Sequence, residues 1–323
     1  MGKKFRKLVV FDNIILTKEQ RERLKNCAEE TLFYAHTTDA NEVKTKIKGA
    51  DAVINCWTVI DENTLDGSKV KYIGNWGHWW KHRVILSEER LKELGIHLDY
   101  IPDYGTDAVA EVVWAGILAL SKNLEKWHKD AGTGKWVFEN IKKGEKEINP
   151  EEVGEQLIIE KKLGIVGMGR IGNRVAEIGK KGFGMKVFYN SRTRKEEVEK
   201  EGITFLSLEE LFKTCDVISI HVSPDIPDNF ISKKLLNSMK DGAIFVNTSV
   251  GNSIDQNALI DLLKEGKINA FLDVYEKFPP KKELKNLPNV LFTYRLGWFT
   301  KESLKKKGEK LVSNVENYLI NLP

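Results

Sequence analysis

The chain has 323 residues, 41% hydrophobic and 30% charged, with a formal net charge of +4. That is enough chain for two cores of ordinary size and too apolar a composition for a disordered or fibrous protein. The charge is mild, and the lysines of KESLKKKGEK (301–310) read as part of an amphipathic C-terminal helix, so no nucleic-acid partner is expected. The longest apolar stretch, VVWAGILAL (112–120), is too short for a bilayer, and the lysine-bearing N-terminus lacks a signal-peptide core. No membrane partner and a cytoplasmic location are therefore expected. Three scattered cysteines, Cys27, Cys56 and Cys215, form an odd number without CxxC spacing, which fits a reducing compartment and no disulfide framework.

In chain order, strand-like runs KLVVF, AVIN, VKYIG and IHLDYI precede residue 102. A long helix is then predicted from N-cap candidates Thr106 and Asp107, through AVAEVVWAGILALSKNLEKW, toward Gly132. The polar, glycine-bearing segment 132–157 reads as an extended surface segment or a partner-embracing arm. Five further strand-like runs follow: LGIV, MKVFY, DVISIH, AIFVN and INAFL. Alternation of such runs with amphipathic stretches predicts an α/β protein of two successive doubly wound parallel-sheet units.

LGIVGMGRIG (163–172) sets an apolar strand directly against Gly167, Gly169 and Gly172, followed by the helix-like NRVAEIGKKG. In that setting the first glycine permits a tight turn, the second lets a pyrophosphate approach backbone, and the third lets helix and strand pack closely. After the next strand an NAD site usually presents a carboxylate to the ribose. Here Asn190, Ser191, Arg192, Thr193, Arg194 and Lys195 follow instead, so phosphate donors replace the carboxylate and NADP is expected over NAD. The competing reading is a solvated basic turn.

Together with these motifs, VAE (109–111), Gly134 with Trp136, CDVISIHV (215–222), KDGAIFVNTS (240–249), IDQNALIDLLKEGKI (254–268) and LDVYEKFP (272–279) run in one order. In these blocks the chain resembles the D-2-hydroxyacid dehydrogenase family. SRTRKEEVEKEG (191–202) is similar to the cofactor loop of archaeal glyoxylate and hydroxypyruvate reductases. The resemblance implies a flavodoxin-like substrate domain from residues 1–101 plus 298–323, a central Rossmann cofactor domain from 102–297, and a homodimer. It also implies cofactor contacts from Gly167, Met168, Gly169, Arg170, Ile171, Gly172, Ser191, Arg192, Thr193, His221, Val222, Ser223, Thr248, Ser249, Val250 and Asp273.

Family chemistry implies an Arg that grips the substrate carboxylate, a His that protonates the nascent alkoxide, and a Glu that orients the imidazole. The matching blocks here read NTSVG, DVYEKFP and TYRLG, placing Val250, Phe278 and Arg295 at those positions. A slipped register would put Glu276 at the Glu position instead. Losing an acid costs roughly 10²–10⁴ in rate, so ordinary 2-hydroxyacid turnover is expected to be slow or absent. Trp57, Trp76, Gly77, Phe278 and Trp298, with Trp79 and Trp80 in the same loop as Trp76, predict a pocket for an apolar, aromatic or cationic small molecule; the alternative is that the tryptophans pack a core. Arg295 and Tyr294 are the candidate catalytic residues, with Tyr104 a further candidate proton donor. His78 and His82 share i, i+4 spacing without a third ligand, so no metal is expected. The functional expectation is an NADP-dependent oxidoreductase moving hydride to a keto acid, imine or conjugated bond. A catalytically inactive dinucleotide-binding sensor is the alternative, and a scaffold that has lost cofactor binding is a third class.

Overall fold

A computed structural model describes residues 3–78, 80–134, 142, 144 and 156–322. Trp79, Trp136 and most of the expected arm 132–157 lie outside the described residues. The chain divides into two compact units, Met1–Tyr104 with Phe299–Pro323, and Gly105–Trp298.

The first unit is built on five parallel strands in the order Ala28–Phe33, Phe5–Val10, Ala52–Asn55, Tyr72–Asn75, His97–Tyr100. In chain order this is 2-1-3-4-5, the flavodoxin-like arrangement. Ala52–Asn55 and Tyr72–Asn75 are wholly buried, which explains the apolar residues that open them, and each ends in a buried asparagine, Asn75 Nδ2 donating to Asn55 Oδ1 (3.0 Å). Ala28–Phe33 was not expected: AEETLF lies at a sheet edge, and its solvated glutamates hide the strand from hydrophobic patterning. The helix Lys301–Ile320 returns to this unit and packs Leu311, Val312, Val315 and Leu319 with Leu8, Ile54 and Tyr72.

The second unit holds seven parallel strands in the order Thr204–Phe205, Lys186–Asn190, Lys162–Val166, Val217–Ile220, Ala243–Asn247, Ile268–Leu272, Val290–Phe292. Within the unit this is 3-2-1-4-5-6-7, with the topological switch between Lys162–Val166 and Val217–Ile220. Ligands of open α/β sheets bind outside the carboxyl ends of strands at such a switch. The two terminal strands, two and three residues long, were missed because neither spans a full hydrophobic alternation.

The long predicted helix is two. Thr106–Ser121 stops at Lys122, Asn123 adopts a left-handed φ of 48°, and Leu124–Gly132 starts afresh. Asparagine is among the few side chains that enter that region readily. Gly105, without a side-chain cap, precedes the first helix, so Thr106 and Asp107 are its first residues rather than its caps. Among the described residues no helix is long and apolar enough to cross a membrane.

Candidate dinucleotide and acceptor site

At the switch point the three glycines have separable roles. Gly167 has φ +97°, and a Cβ there would stand 2.2 Å from the His221 carbonyl oxygen. A Cβ on Gly172 would stand 2.1 Å from the Gly167 oxygen, so the helix Arg170–Phe183 closes on the turn only because that atom is missing. Gly169 caps this helix without a side-chain hydrogen bond, and nothing lies within 4 Å of where its Cβ would be. The turn therefore leaves open space at the second glycine, beside uncapped helical N–H groups, and these residues fit a dinucleotide pyrophosphate. Arg170 is exposed, Ile171 is half-buried, and the Met168 side chain lies in the core, so Met168 offers a ligand only backbone.

The loops flanking the turn are tied to it. Gly167 N donates to Asn190 O (2.8 Å) and His221 N to Val166 O (2.7 Å). Asn190 turns its amide to Leu206 O (2.8 Å), and the Ser191 hydroxyl donates to Thr193 O. Of the two arginines in this basic turn, Arg194 is held by two hydrogen bonds to Glu199 and lies over the Phe205 ring. Arg192 donates instead to Asp225 (2.8 Å) across the switch point. Burial pushes the His221 imidazole down to about 3, so it is neutral, and its Nε2 lies 2.8 Å from the Ser219 hydroxyl. His221 Nδ1 and Thr248 Oγ1 are buried without a hydrogen-bond partner among the described residues. Val222 and Ser223 lead from His221 to Asp225, and the Ser223 hydroxyl donates to that carboxylate.

Val250, Phe278 and Arg295 stand on neighbouring loops of the same unit. The Val250 side chain is buried, and its carbonyl accepts from Asn247 Nδ2 (3.0 Å) and Ser253 Oγ (2.7 Å). Ser249 N donates to Asn247 Oδ1 (3.1 Å). Gly251 presses this loop against the next, since a Cβ there would meet the Tyr275 carbonyl at 2.2 Å. Phe278 is 73% exposed, stacked beside Tyr275 (6.2 Å) and tilted against Tyr294 (6.1 Å), itself 62% exposed. Phe278 thus belongs to an open aromatic row. Arg295 is exposed at a left-handed φ of 58°. Its turn is held by Asp273, which accepts from Thr293 Oγ1 (2.6 Å), Leu296 N (2.9 Å) and Gly297 N (3.2 Å). Asp273, expected as a cofactor contact, thus has both carboxylate oxygens engaged in positioning Tyr294 and Arg295. Glu276 faces Lys281 at 3.7 Å. Trp298 is half-buried against Gly105, whose Cβ would approach its Cβ to 3.0 Å.

In the first unit the tryptophans separate into two kinds. Trp57 is 49% exposed, on a loop whose Cys56, Trp57 and Thr58 N–H groups donate to Asp12 (2.7–2.9 Å). Burial alone would raise the Asp12 carboxyl, but hydrogen bonds from Thr58, Cys56 and His36 hold it below its ordinary value. Trp76 is 1% exposed and lies within the core, and Trp80 is buried too. Trp76 is therefore a packing residue and not an open pocket wall. Gly77 is half-buried, its carbonyl accepting from Ile101 N (3.1 Å). His82 ends a 3₁₀ turn, Trp80–His82, so His78 and His82 share no α-helical face. Among the described residues no cluster of His, Cys, Asp and Glu could hold a metal.

Sequence reasoning missed Lys307. It is 3% exposed, with its ammonium 3.7 Å from the centre of the Trp76 ring and 4.3 Å from that of Tyr104. The signal was present: residue 307 falls on the helical stripe of 304, 311 and 315, not on the solvated face where its lysine neighbours sit. Burial pushes Lys307 down to about 8. Burial, with Cys56 nearby, pushes the Tyr104 phenol up to about 12, the wrong direction for the ready proton donor expected from the sequence.

A strand, glycine turn and helix at the switch point of a 3-2-1-4-5-6-7 sheet define a Rossmann-type α/β protein with the geometry of a dinucleotide-binding turn. Residues 114–297 match the family described as D-isomer specific 2-hydroxyacid dehydrogenase, NAD binding domain. Glyoxylate reductase of Thermococcus litoralis is 36% identical over 277 residues, 84% of this chain and 81% of that one. Hydroxypyruvate reductase of Blautia hydrogenotrophica is 30% identical over 306 residues, 91% of this chain and 90% of that one. A solved acyclic imino acid reductase in complex with NADPH and D-Arg superposes with a TM-score of 0.79 at 28% identity, covering 98% of both chains. The chain belongs to the D-isomer specific 2-hydroxyacid dehydrogenase family of nicotinamide-dinucleotide oxidoreductases.

Two predictions follow from this geometry. Gly169→Ala should leave unfolding stability within about 0.5 kcal/mol of wild type, because its Cβ meets no protein atom, yet weaken NADPH at least roughly tenfold in a fluorescence titration. Unchanged binding would place the pyrophosphate elsewhere. For Lys307 the folded value of about 8 lies below the unfolded value of about 10.4, so the unfolded chain binds more protons between them. The stability of wild type relative to Lys307→Met should therefore rise from pH 7 to pH 10 in urea unfolding; a flat difference would contradict the burial of the ammonium.

Proposed function

We propose that the chain is an NADP-preferring reductase whose acceptor differs from the usual 2-keto acid pair, with an iminium as the best-fitting class and a keto acid or conjugated bond as the others. This reading is supported by buried Val250, exposed Phe278 and exposed Arg295, which we read as standing where the family's Arg, Glu and His would be, in the same unit as a glycine turn left open for a dinucleotide. Bound dinucleotide would supply the hydride. An iminium already carries the proton that the missing histidine would deliver, so its reduction asks no acid of residue 295. The faces of Tyr275, Phe278 and Tyr294 suit a cationic acceptor, and Arg295 suits a carboxylate on it. The likeness to an imino acid reductase bound to NADPH and D-Arg supports both halves of the reading.

Arg192, with no carboxylate on its own loop before Glu196, supports the preference for NADP. Exposed Leu124, Leu157 and Ile159, with a helix Leu124–Gly132 that buries no residue, support a homodimer formed through the second unit. Two of the three free cysteines are buried, which supports a reducing, cytoplasmic setting.

Arg192→Ala should weaken NADPH by at least about tenfold and NADH by less than about twofold in equilibrium titration, since it removes a charge-assisted phosphate donor. Equal losses would remove the NADP assignment. Restoring Val250→Arg, Phe278→Glu and Arg295→His together should create measurable NADPH-dependent glyoxylate reduction, by roughly 10² over the parent. A folded triple variant that binds NADPH but shows no gain would mean the acceptor cleft differs in more than these three positions.

A further inference from the structure

The Arg192–Asp225 pair occupies a particular place in the cradle. Asn190 and His221 both touch Gly167, the first through its carbonyl and the second at the position a Cβ would fill. Arg192 and Asp225 stand two and four residues beyond these contacts, on the loops flanking the strand Lys162–Val166. Their ion pair joins these loops at the ribose end of the glycine turn, where a residue just after the second strand selects between a 2′-hydroxyl and a 2′-phosphate. Arg192 Nη1 donates to Asp225 (2.8 Å), its Nη2 reaches the Ser223 hydroxyl (3.4 Å), and that hydroxyl donates to Asp225. The other guanidinium of the turn, Arg194, is already committed to Glu199. Arg192 is therefore the guanidinium of the turn that is not tied to its own loop, and a carboxylate from a different loop engages it.

We propose that Asp225 is a specificity-determining residue that restrains the preference for NADP, by holding the Arg192 guanidinium and by placing negative charge where a 2′-phosphate must approach. The inference rests on the reading of Arg192 as the 2′-phosphate donor. Both partners are mostly solvent-exposed, so the pair is weak enough for the phosphate to displace it. Displacement nonetheless has a cost, and the freed carboxylate then repels a group carrying nearly two negative charges. NADH has no such phosphate and leaves the pair intact. A sequence pattern that reads only the residues after the second strand sees three cations there and misses this counter-charge.

The test is equilibrium titration of the full-length protein with NADPH and NADH, followed by energy transfer from tryptophan, for wild type, Asp225→Asn and Asp225→Ala, with a thermal melt of each. Exposed ion pairs and like-charge repulsion are each worth a few-fold in an equilibrium constant. Both variants should bind NADPH about 3- to 30-fold more tightly, change NADH by less than about twofold, and melt like wild type. Weaker NADPH binding would mean Asp225 positions Arg192 for the phosphate, and equal shifts for both cofactors would mean a merely structural loop contact; either result overturns the proposal. A wild type that binds NADH alone would instead overturn the reading of Arg192 on which the proposal stands, and is distinguished by the same titration.

Discussion

The site depends on backbone packing too close for any side chain. At Gly167 and Gly172 the turn, the helix Arg170–Phe183 and the end of Val217–Ile220 approach so closely that a single methyl group would collide with a carbonyl oxygen at 2.1–2.2 Å. This contact fixes the helix N-terminus against the strand ends, and through Asn190 and His221 it fixes the two loops on either side. Whatever chemistry the rest of the chain performs, the geometry of this turn follows from those two missing Cβ atoms.

A second device recurs in both units: a buried carboxylate that gathers the N–H groups of a loop at the carboxyl end of a sheet. Asp12 holds Cys56–Thr58, presenting Trp57, and Asp273 holds the turn that presents Tyr294 and Arg295. Several donors on one carboxylate make a stiff support, and leaving such donors buried without their acceptor is costly. Arg295 is thus kept exposed, in a backbone region unusual for its type, by its own N–H donating to Asp273 O (2.8 Å) and by the turn that Asp273 gathers. In both loops the support lies in the buried carboxylate and the backbone it gathers, so the exposed side chains can vary while the loop geometry stays.

The sheet strands with continuous apolar runs and the glycine fingerprint were legible from sequence, because buried parallel strands and tight turns each demand particular residue types. The polar edge strand Ala28–Phe33 and the break at Asn123 were not, since the first is solvated and the second is one tolerated left-handed residue in an otherwise helical pattern. At the candidate site, residue types singled out loops but not the contacts within them. Trp76 looked like a ligand-facing group, yet it lies beneath Lys307 in the core. Asp225 carried no motif at all, because its relation to Arg192 exists only across two strands of the folded sheet.

In the function proposed, the dinucleotide turn is kept while the acceptor is a cationic iminium instead of a carbonyl that needs protonation. Stopped-flow oxidation of bound NADPH, with glyoxylate or pyruvate alone and then with added methylamine, tests it most directly. Oxidation should depend on the amine and run at least about 10² faster with it. Rapid amine-independent reduction of either keto acid would contradict it.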